Sequence, residues 1–208
     1  MQRSKVVTFS GFIIIFAAGL VLGRSLVSAE FKGRIDDLES QVATLQSLIE
    51  EKNSQISQLE QQLDLQVLGV YFSPRGGCED QIVYWIGRAN NSVHVLIYVF
   101  TLDSIGDALI DASKRGVEVK VVFEKSQISR YSEYQRLKSA GIEVRNDTNP
   151  KLMHNKVLIV DGVIVITGSF NWSNNAENYN NENIIVIRSA YVAAKYEEEF
   201  ERIWNESV

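Results

Sequence analysis

The apolar residues of this chain keep three different periods in three successive stretches, and each period admits one kind of secondary structure. Val6 to Gly23 carries no charge and is dominated by Phe, Ile, Leu, Val and Ala. As a helix this run would reach roughly 27 Å, enough to cross the hydrocarbon core of a bilayer. From Ile35 the spacing becomes seven. Ile35, Val42, Ile49, Ile56 and Leu63 share one position, and Leu38, Leu45, Lys52, Leu59 and Gln66 share the position three later. From about Val67 short β-branched runs alternate with helical patterns. The expected organisation is a membrane anchor with its flanks over 1–29, a coiled coil over 30–66 and a folded domain over 67–208.

Arg3 and Lys5 precede the apolar run and Arg24 follows it. A cleaved signal peptide is the rival reading, with Val27-Ser28-Ala29 as a small-residue cleavage site. The run exceeds the usual length of about 7–15 residues, however, and Arg24 lies where a cleavage region is uncharged. The expectation is therefore an uncleaved single-pass anchor. Positive charge flanks it almost equally, so the charge rule gives no orientation. In the next stretch, β-branched residues at the first heptad position with leucine at the second favour a parallel two-stranded coil. Arg34 and Glu39 fall where a cross-helix charge pair would form. A helix packed on its own domain would show a broader apolar face than this narrow stripe.

The remaining pattern predicts strands over Val67–Phe72, Ser92–Phe100, Val117–Phe123, Ile142–Arg145, Leu152–Val160, Val163–Thr167 and Asn183–Arg188. Helices are expected over Glu79–Ala89, Ser104–Lys114, Ser132–Ser139 and Tyr191–Trp204. Asp161-Gly162 between two apolar runs is a strong hairpin signal. The expected fold class is α/β, a mixed β-sheet flanked by helices on both faces. Cys78 is the single cysteine, which excludes an intrachain disulfide and a Cys-based zinc site. It reads as a small residue at a helix start. A net charge of −5 argues against a broadly basic surface. Within Lys120–Lys156, though, eight basic residues face four acidic ones. A local basic patch there would suit a nucleic-acid backbone, bound without sequence preference and sensitively to salt.

The chemistry concentrates in Lys151–Asn171. Here His154-x-Lys156 is followed by Asp161 and then by Gly168-Ser169-x-Asn171. On one strand, residues 154 and 156 project to the same side. The hairpin then returns Ser169 and Asn171 toward the start of that strand. A histidine, an ammonium, a hydroxyl and an amide converge, as phosphoryl chemistry would need: His154 to attack phosphorus, Lys156 and Asn171 to stabilise its oxygens. No metal or other cofactor is called for.

These spacings, with Glu182-Asn183 downstream, resemble the HKD signature of the phospholipase D superfamily, and the likeness extends more loosely from Phe72 to Trp204. The chain is most similar to the small single-motif subgroup, which includes a bacterial metal-independent endonuclease and mitochondrial cardiolipin-hydrolase-like enzymes. The Cys/His zinc element of the mitochondrial branch has no counterpart here. The resemblance implies a reaction that uses two histidines, one forming a phosphohistidine and the other protonating the leaving oxygen. It also places Ser169 at the phosphate and gives Glu182 the task of orienting the histidine ring.

The chain has only two histidines. The other, His94, lies in an apolar strand outside any motif and reads as structural. The second reactive histidine is thus expected from a partner copy, so that coiled coil and catalytic domain together make a homodimer. Asp161, within the motif but before a hairpin glycine, reads as turn-forming or orienting more readily than as a direct participant. Glu182 could otherwise be a solvated carboxylate in the asparagine-rich run Asn174–Asn183, which reads as a loose rim. The expectation is a membrane-tethered, metal-independent phosphodiesterase of endonuclease type. Its catalytic group comprises His154, Lys156, Asp161 and Glu182, with Lys156, Ser169 and Asn171 on the phosphate. The alternatives are a phospholipase D or cardiolipin hydrolase acting on membrane phospholipid, and a non-catalytic membrane scaffold.

Overall fold

A computed structural model describes residues 3–63 and 65–208, leaving aside the side chains of 3–18, 21, 25–27 and 61–63. The chain divides into two compact units, residues 1–59 and 60–208. The first is built from helix α1, Arg3–Leu63, which runs on into the first residues of the second. Along it the heptad residues Ile35, Leu38, Val42, Leu45, Ile49, Ile56 and Leu59 are all exposed. The helix ends at Leu63 and strand β1 covers Gln66–Ser73. Gln66, expected as the last heptad position, instead pairs with Arg188 in the sheet. Among the described residues no helix is long and apolar enough to cross a membrane. The expected span, Val6–Gly23, lies within α1, and most of its side chains fall outside the described residues.

In the second unit the elements follow the alternation in the sequence. After β1 come α2 (Cys78–Gly87), β2 (Ser92–Ile97), α3 (Asp103–Lys114), β3 (Glu118–Phe123) and a 3-10 turn at Lys125–Gln127. Then follow α4 (Tyr134–Ser139), β4 (Glu143–Asn146), β5 (Lys156–Val160), β6 (Ile164–Gly168), α5 (Asn174–Asn178), β7 (Glu182–Arg188) and α6 (Ala190–Glu206). The seven strands form one sheet in the order β1-β7-β6-β5-β2-β3-β4. β2, β3 and β4 run parallel, and every other pairing is antiparallel.

Alternation along the central strands divides the core into two layers. Val93, Val95 and Ile97 of β2, with Leu158 and Val160 of β5, pack in one layer with Ile82, Ile86, Ile105, Leu109 and Leu137 of α2, α3 and α4. Leu96, Val122, Val157, Ile159 and Val165 face the other way, onto Ala193, Phe200, Ile203 and Trp204 of α6. Burying side chains of this size contributes about 1.5–3 kcal/mol each. Ser189 starts α6 by accepting a hydrogen bond from the Val192 N–H. The helix leaves the outer strands uncovered: Leu68, Val70 and Phe72 of β1 are exposed.

Two local expectations are corrected. The segment Leu152–Asn155 is not strand. The Asn155 carbonyl still accepts from the Tyr98 N–H in the β2·β5 register, but the Met153 N–H goes to the Glu124 carboxylate instead. The asparagine-rich run is also partly ordered, because Ser173 caps α5 through the Ala176 N–H.

Candidate active site

β5 enters the sheet between β2 and β6, and its first residue, Lys156, pairs with Ile97. The ends of β2 and β3, the start of β5 and the end of β6 therefore meet on one rim. His154 lies just before β5, exposed, with its ring 4.4 Å from that of Tyr98 at an edge-on angle of 60°. Lys156 reaches back beneath it. Its Nζ donates to the His154 carbonyl at 2.7 Å and stands 4.8 Å from the centre of the Tyr98 ring. The Tyr98 hydroxyl accepts from Gln127 at 3.2 Å. Tyr98 is thus a shared platform for the imidazole and the ammonium. Sequence reasoning passed over it because an aromatic residue inside the expected apolar strand Ser92–Phe100 reads as core, whereas β2 ends at Ile97.

Burial pushes the Lys156 ammonium down to about 8, with the Glu182 charge acting in the opposite direction. Lys156 is only 8% exposed and its charge has no carboxylate in contact among the described ion pairs. A cation held this way lacks an anion. Glu182, the first residue of β7, is half-buried opposite Ser73; its carboxylate accepts from Asn180 at 3.2 Å, and no hydrogen bond joins it to His154.

Gly168-Ser169-x-Asn171 closes the rim. A Cβ on Gly168 would collide with the Asn183 carbonyl, so glycine lets β6 approach the β7 backbone. Ser169 accepts from the backbone and side-chain amides of Asn183, at 3.2 and 3.4 Å. Its hydroxyl is thereby engaged in holding β6 to β7. The Asn171 carboxamide oxygen is buried with no hydrogen-bond partner, which is costly unless a donor completes it. Beside His154 a groove of about 610 Å³ runs between Asp147–Asn155 and α6, walled there by Glu199, Arg202 and Glu206.

Asp161 is not part of this group. It sits at the opposite end of β5, in the hairpin turn, with φ 54° followed by Gly162 at φ 62°. Its carboxylate accepts from the N–H groups of Asn90, Asn91 and Ser92 at 2.7–3.2 Å. Burial pushes its pKa up, but these bonds outweigh it and hold the carboxyl below its ordinary value. A catalytic part for Asp161 is therefore corrected to an anchoring one: it ties the hairpin to the loop before β2. His94 lies on the α6 side, 4.5 Å from the Phe200 ring and parallel to it, its nitrogens bonded to Glu197 and Glu118 at 2.6 and 3.2 Å. Cys78 is buried, and burial, with Glu177 and Glu182 nearby, pushes its thiol up to about 11, so it stays protonated near neutral pH. Among the described residues no group of three or more His, Cys, Asp or Glu could hold a metal ion.

The fold and its rim can be set beside known proteins. Residues 82–204 match the family described as cardiolipin synthase, PLD-like domain. The chain belongs to the phospholipase D superfamily. It is 33% identical over 197 residues to a phospholipase D of Rickettsia prowazekii, covering 94% of this chain and 92% of the relative. It is 36% identical over 120 residues to a mitochondrial cardiolipin hydrolase of Xenopus tropicalis, covering 57% of each. Among solved structures it resembles the phospholipase D family member Nuc from Salmonella typhimurium. The TM-score is 0.66 at 36% identity, over 69% of this chain and 97% of that one. As a member of this superfamily the chain is a phosphodiester hydrolase.

Proposed function

We propose that this phosphodiesterase is a membrane-tethered, metal-independent endonuclease acting through a phosphohistidine on His154, at a site shared by two copies of the chain. The observation that carries the reading is the pairing of a buried, anion-free Lys156 ammonium with His154 on the Tyr98 ring. A phosphodiester would supply the missing anion, and the Asn171 side-chain NH2 would donate to one of its oxygens.

In this mechanism the His154 imidazole attacks phosphorus and the P–O bond to the leaving group breaks. The leaving oxygen takes a proton from His154 of the partner copy. That histidine then removes a proton from water, whose oxygen attacks phosphorus and releases His154. Lys156 and Asn171 bind the equatorial oxygens throughout. Ser169 shapes the phosphate end through its hold on Asn183, and Glu182, out of contact, favours the charged form of Lys156 from a distance. The second copy is required because His94, the remaining histidine, is committed on both ring nitrogens. The exposed heptad stripe of α1 and the uncovered Leu68, Val70 and Phe72 are surfaces a second copy would bury. Residues 1–29 would supply the tether, a part of the reading that rests on the uncharged run Val6–Gly23.

For the substrate, the structure thins the basic cluster. Lys120 pairs with Glu118, Arg136 with Glu133 and Asp107, and Arg145 lies over Trp204. Lys125, Arg130 and Lys151 remain exposed in the segments after β3 and before His154. They can track a phosphate backbone without reading bases. The second reading is phospholipid hydrolysis, favoured by the phospholipase D relative that matches along 94% of the chain.

The test is to incubate the full chain in detergent with plasmid DNA, RNA and cardiolipin vesicles, each with and without EDTA. Nicking of DNA or RNA that survives EDTA is expected. Cleavage confined to the vesicles would overturn the nuclease reading, and loss of all cleavage in EDTA would overturn the metal-free mechanism. Mixing wild-type with His154→Ala chains should depress activity below the wild-type fraction. Strict proportionality would refute the shared site.

A further inference from the structure

Glu124 is the least expected charge in the molecule. It directly follows β3 and is 0% exposed. Its backbone is fixed to β2 by a hydrogen bond from its N–H to the Ile97 carbonyl at 3.1 Å. One carboxylate oxygen accepts from the Ser126 N–H at 3.0 Å, and the other from the Met153 N–H at 2.7 Å. Burial opposes the charge, yet Ser126 and the Met153 N–H hold the carboxyl below its ordinary pKa, so it is ionised at neutral pH.

A buried carboxylate is a costly way to satisfy two backbone donors. What it provides is a short, charge-assisted bond to the residue immediately before His154. Two further contacts continue the series. The Tyr98 N–H donates to the Asn155 carbonyl at 3.1 Å, and Lys156 Nζ donates to the His154 carbonyl at 2.7 Å. Residues 153, 154 and 155, which precede β5, are therefore each fixed by a different partner. Of these partners only Glu124 is wholly removed from water and from any substrate.

We propose that Glu124 is a positioning residue, setting the attack angle of His154 through the Met153 N–H. The role rests on His154 being the nucleophile of the proposed function. A nucleophile displaced by about 1 Å can lose about 10²-fold in rate. A mount of this kind is therefore felt in kcat and hardly in KM.

The experiment compares the full-length wild type with Glu124→Gln and Glu133→Gln, using the chromogenic diester bis(p-nitrophenyl) phosphate. Glu133 is a similarly buried carboxylate whose partner is Arg136. In Glu124→Gln only one of the two N–H donors keeps an oxygen acceptor, and the other meets an NH2 group. The expected result is a kcat lower by about 10- to 100-fold with KM within about twofold. Glu133→Gln, assayed well below its own melting temperature, should keep the wild-type kcat. With only two histidines in the chain, the imidazole NMR signals give a second readout. Those of His154 should shift in Glu124→Gln while those of His94 stay in place. Should Glu124→Gln fail to fold, Glu124→Asp withdraws the same acceptor while keeping the charge, and the same two results are expected.

Unchanged kcat in a folded Glu124 variant, an equal loss in Glu133→Gln, or unmoved His154 signals would each overturn the proposal. If the wild type hydrolyses no diester, the proposed function fails on its own, and the imidazole signals still decide whether Glu124 sets the histidine.

Discussion

The two ends of strand β5 are four residues apart and are built on opposite plans. At the Asp161 end the carboxylate is satisfied. A carboxylate in a left-handed turn accepts three backbone N–H bonds and fixes the hairpin to the loop before β2. At the Lys156 end an ammonium is buried without an anion in contact. The first arrangement stabilises the fold. The second withholds stabilisation until a ligand arrives, which is how a binding site differs from a structural joint. A motif that spans both ends therefore contains two functions, and spacing alone does not say which residue serves which.

The sharpest way to break this contrast is at its open end. His154→Ala should lower diester hydrolysis by at least about 10³-fold. Its melting temperature should hardly move, because the side chain is exposed. Lys156→Met should lower kcat by about 10²–10³-fold and also make the protein more stable at pH 7, by about 1–3 kcal/mol. Loss of stability in that variant would show that the ammonium is better paired than the contacts indicate.

The same lysine predicts two pH dependences. Activity should fall above about pH 8, roughly tenfold per unit, as the ammonium deprotonates. Stability should move the other way. The folded pKa of about 8 lies below the ordinary 10.5, so the penalty for burying the charge is complete below pH 8 and is relieved as pH rises between those values. Urea titrations at pH 7 and 10 should therefore show this group's contribution rising, and Lys156→Met should abolish that rise.

At the closed end, Asp161→Asn should cost about 1–3 kcal/mol of stability, while the folded fraction keeps its kcat. A kcat loss in fully folded Asp161→Asn would erase the distinction between the two ends. The smallest effect is expected for Tyr98→Phe, which keeps the ring and loses only the Gln127 contact. Its kcat should stay within about threefold of wild type.

Much of this was legible in the sequence, for physical reasons that differ by element. The β5–β6 hairpin announced itself because two apolar runs flank Asp161-Gly162, and a turn with positive φ at both residues favours that pair. The inward residues of β2 and β5 followed from period-two alternation. Illegible were contacts between distant parts of the chain. Nothing around Phe123 marks Glu124 as the acceptor for Met153, and nothing around Ile97 marks Tyr98 as the platform for His154. The end of β5 was overextended for the same reason. Leu152–Asn155 has strand composition, and the Tyr98 N–H still reaches Asn155 in the β2·β5 register, but Glu124 claims the Met153 N–H and the ladder goes no further. The cap on α5 was overlooked because asparagine-rich runs suggest loops, and one serine decided otherwise.

The unequal covering of the sheet bears on how such a molecule can diversify. Among the described residues, one face rests on several helices, whereas the other rests on α6. That helix also walls the groove beside His154. Its inward residues, Phe200 and Trp204, are held fixed by the core, while Glu199, Arg202 and Glu206 on the groove side can change without touching the interior. Selection can therefore recolour this wall but not move it. New leaving groups would be accommodated by altered charge and hydrogen bonding along one helix face, with the width of the groove inherited unchanged.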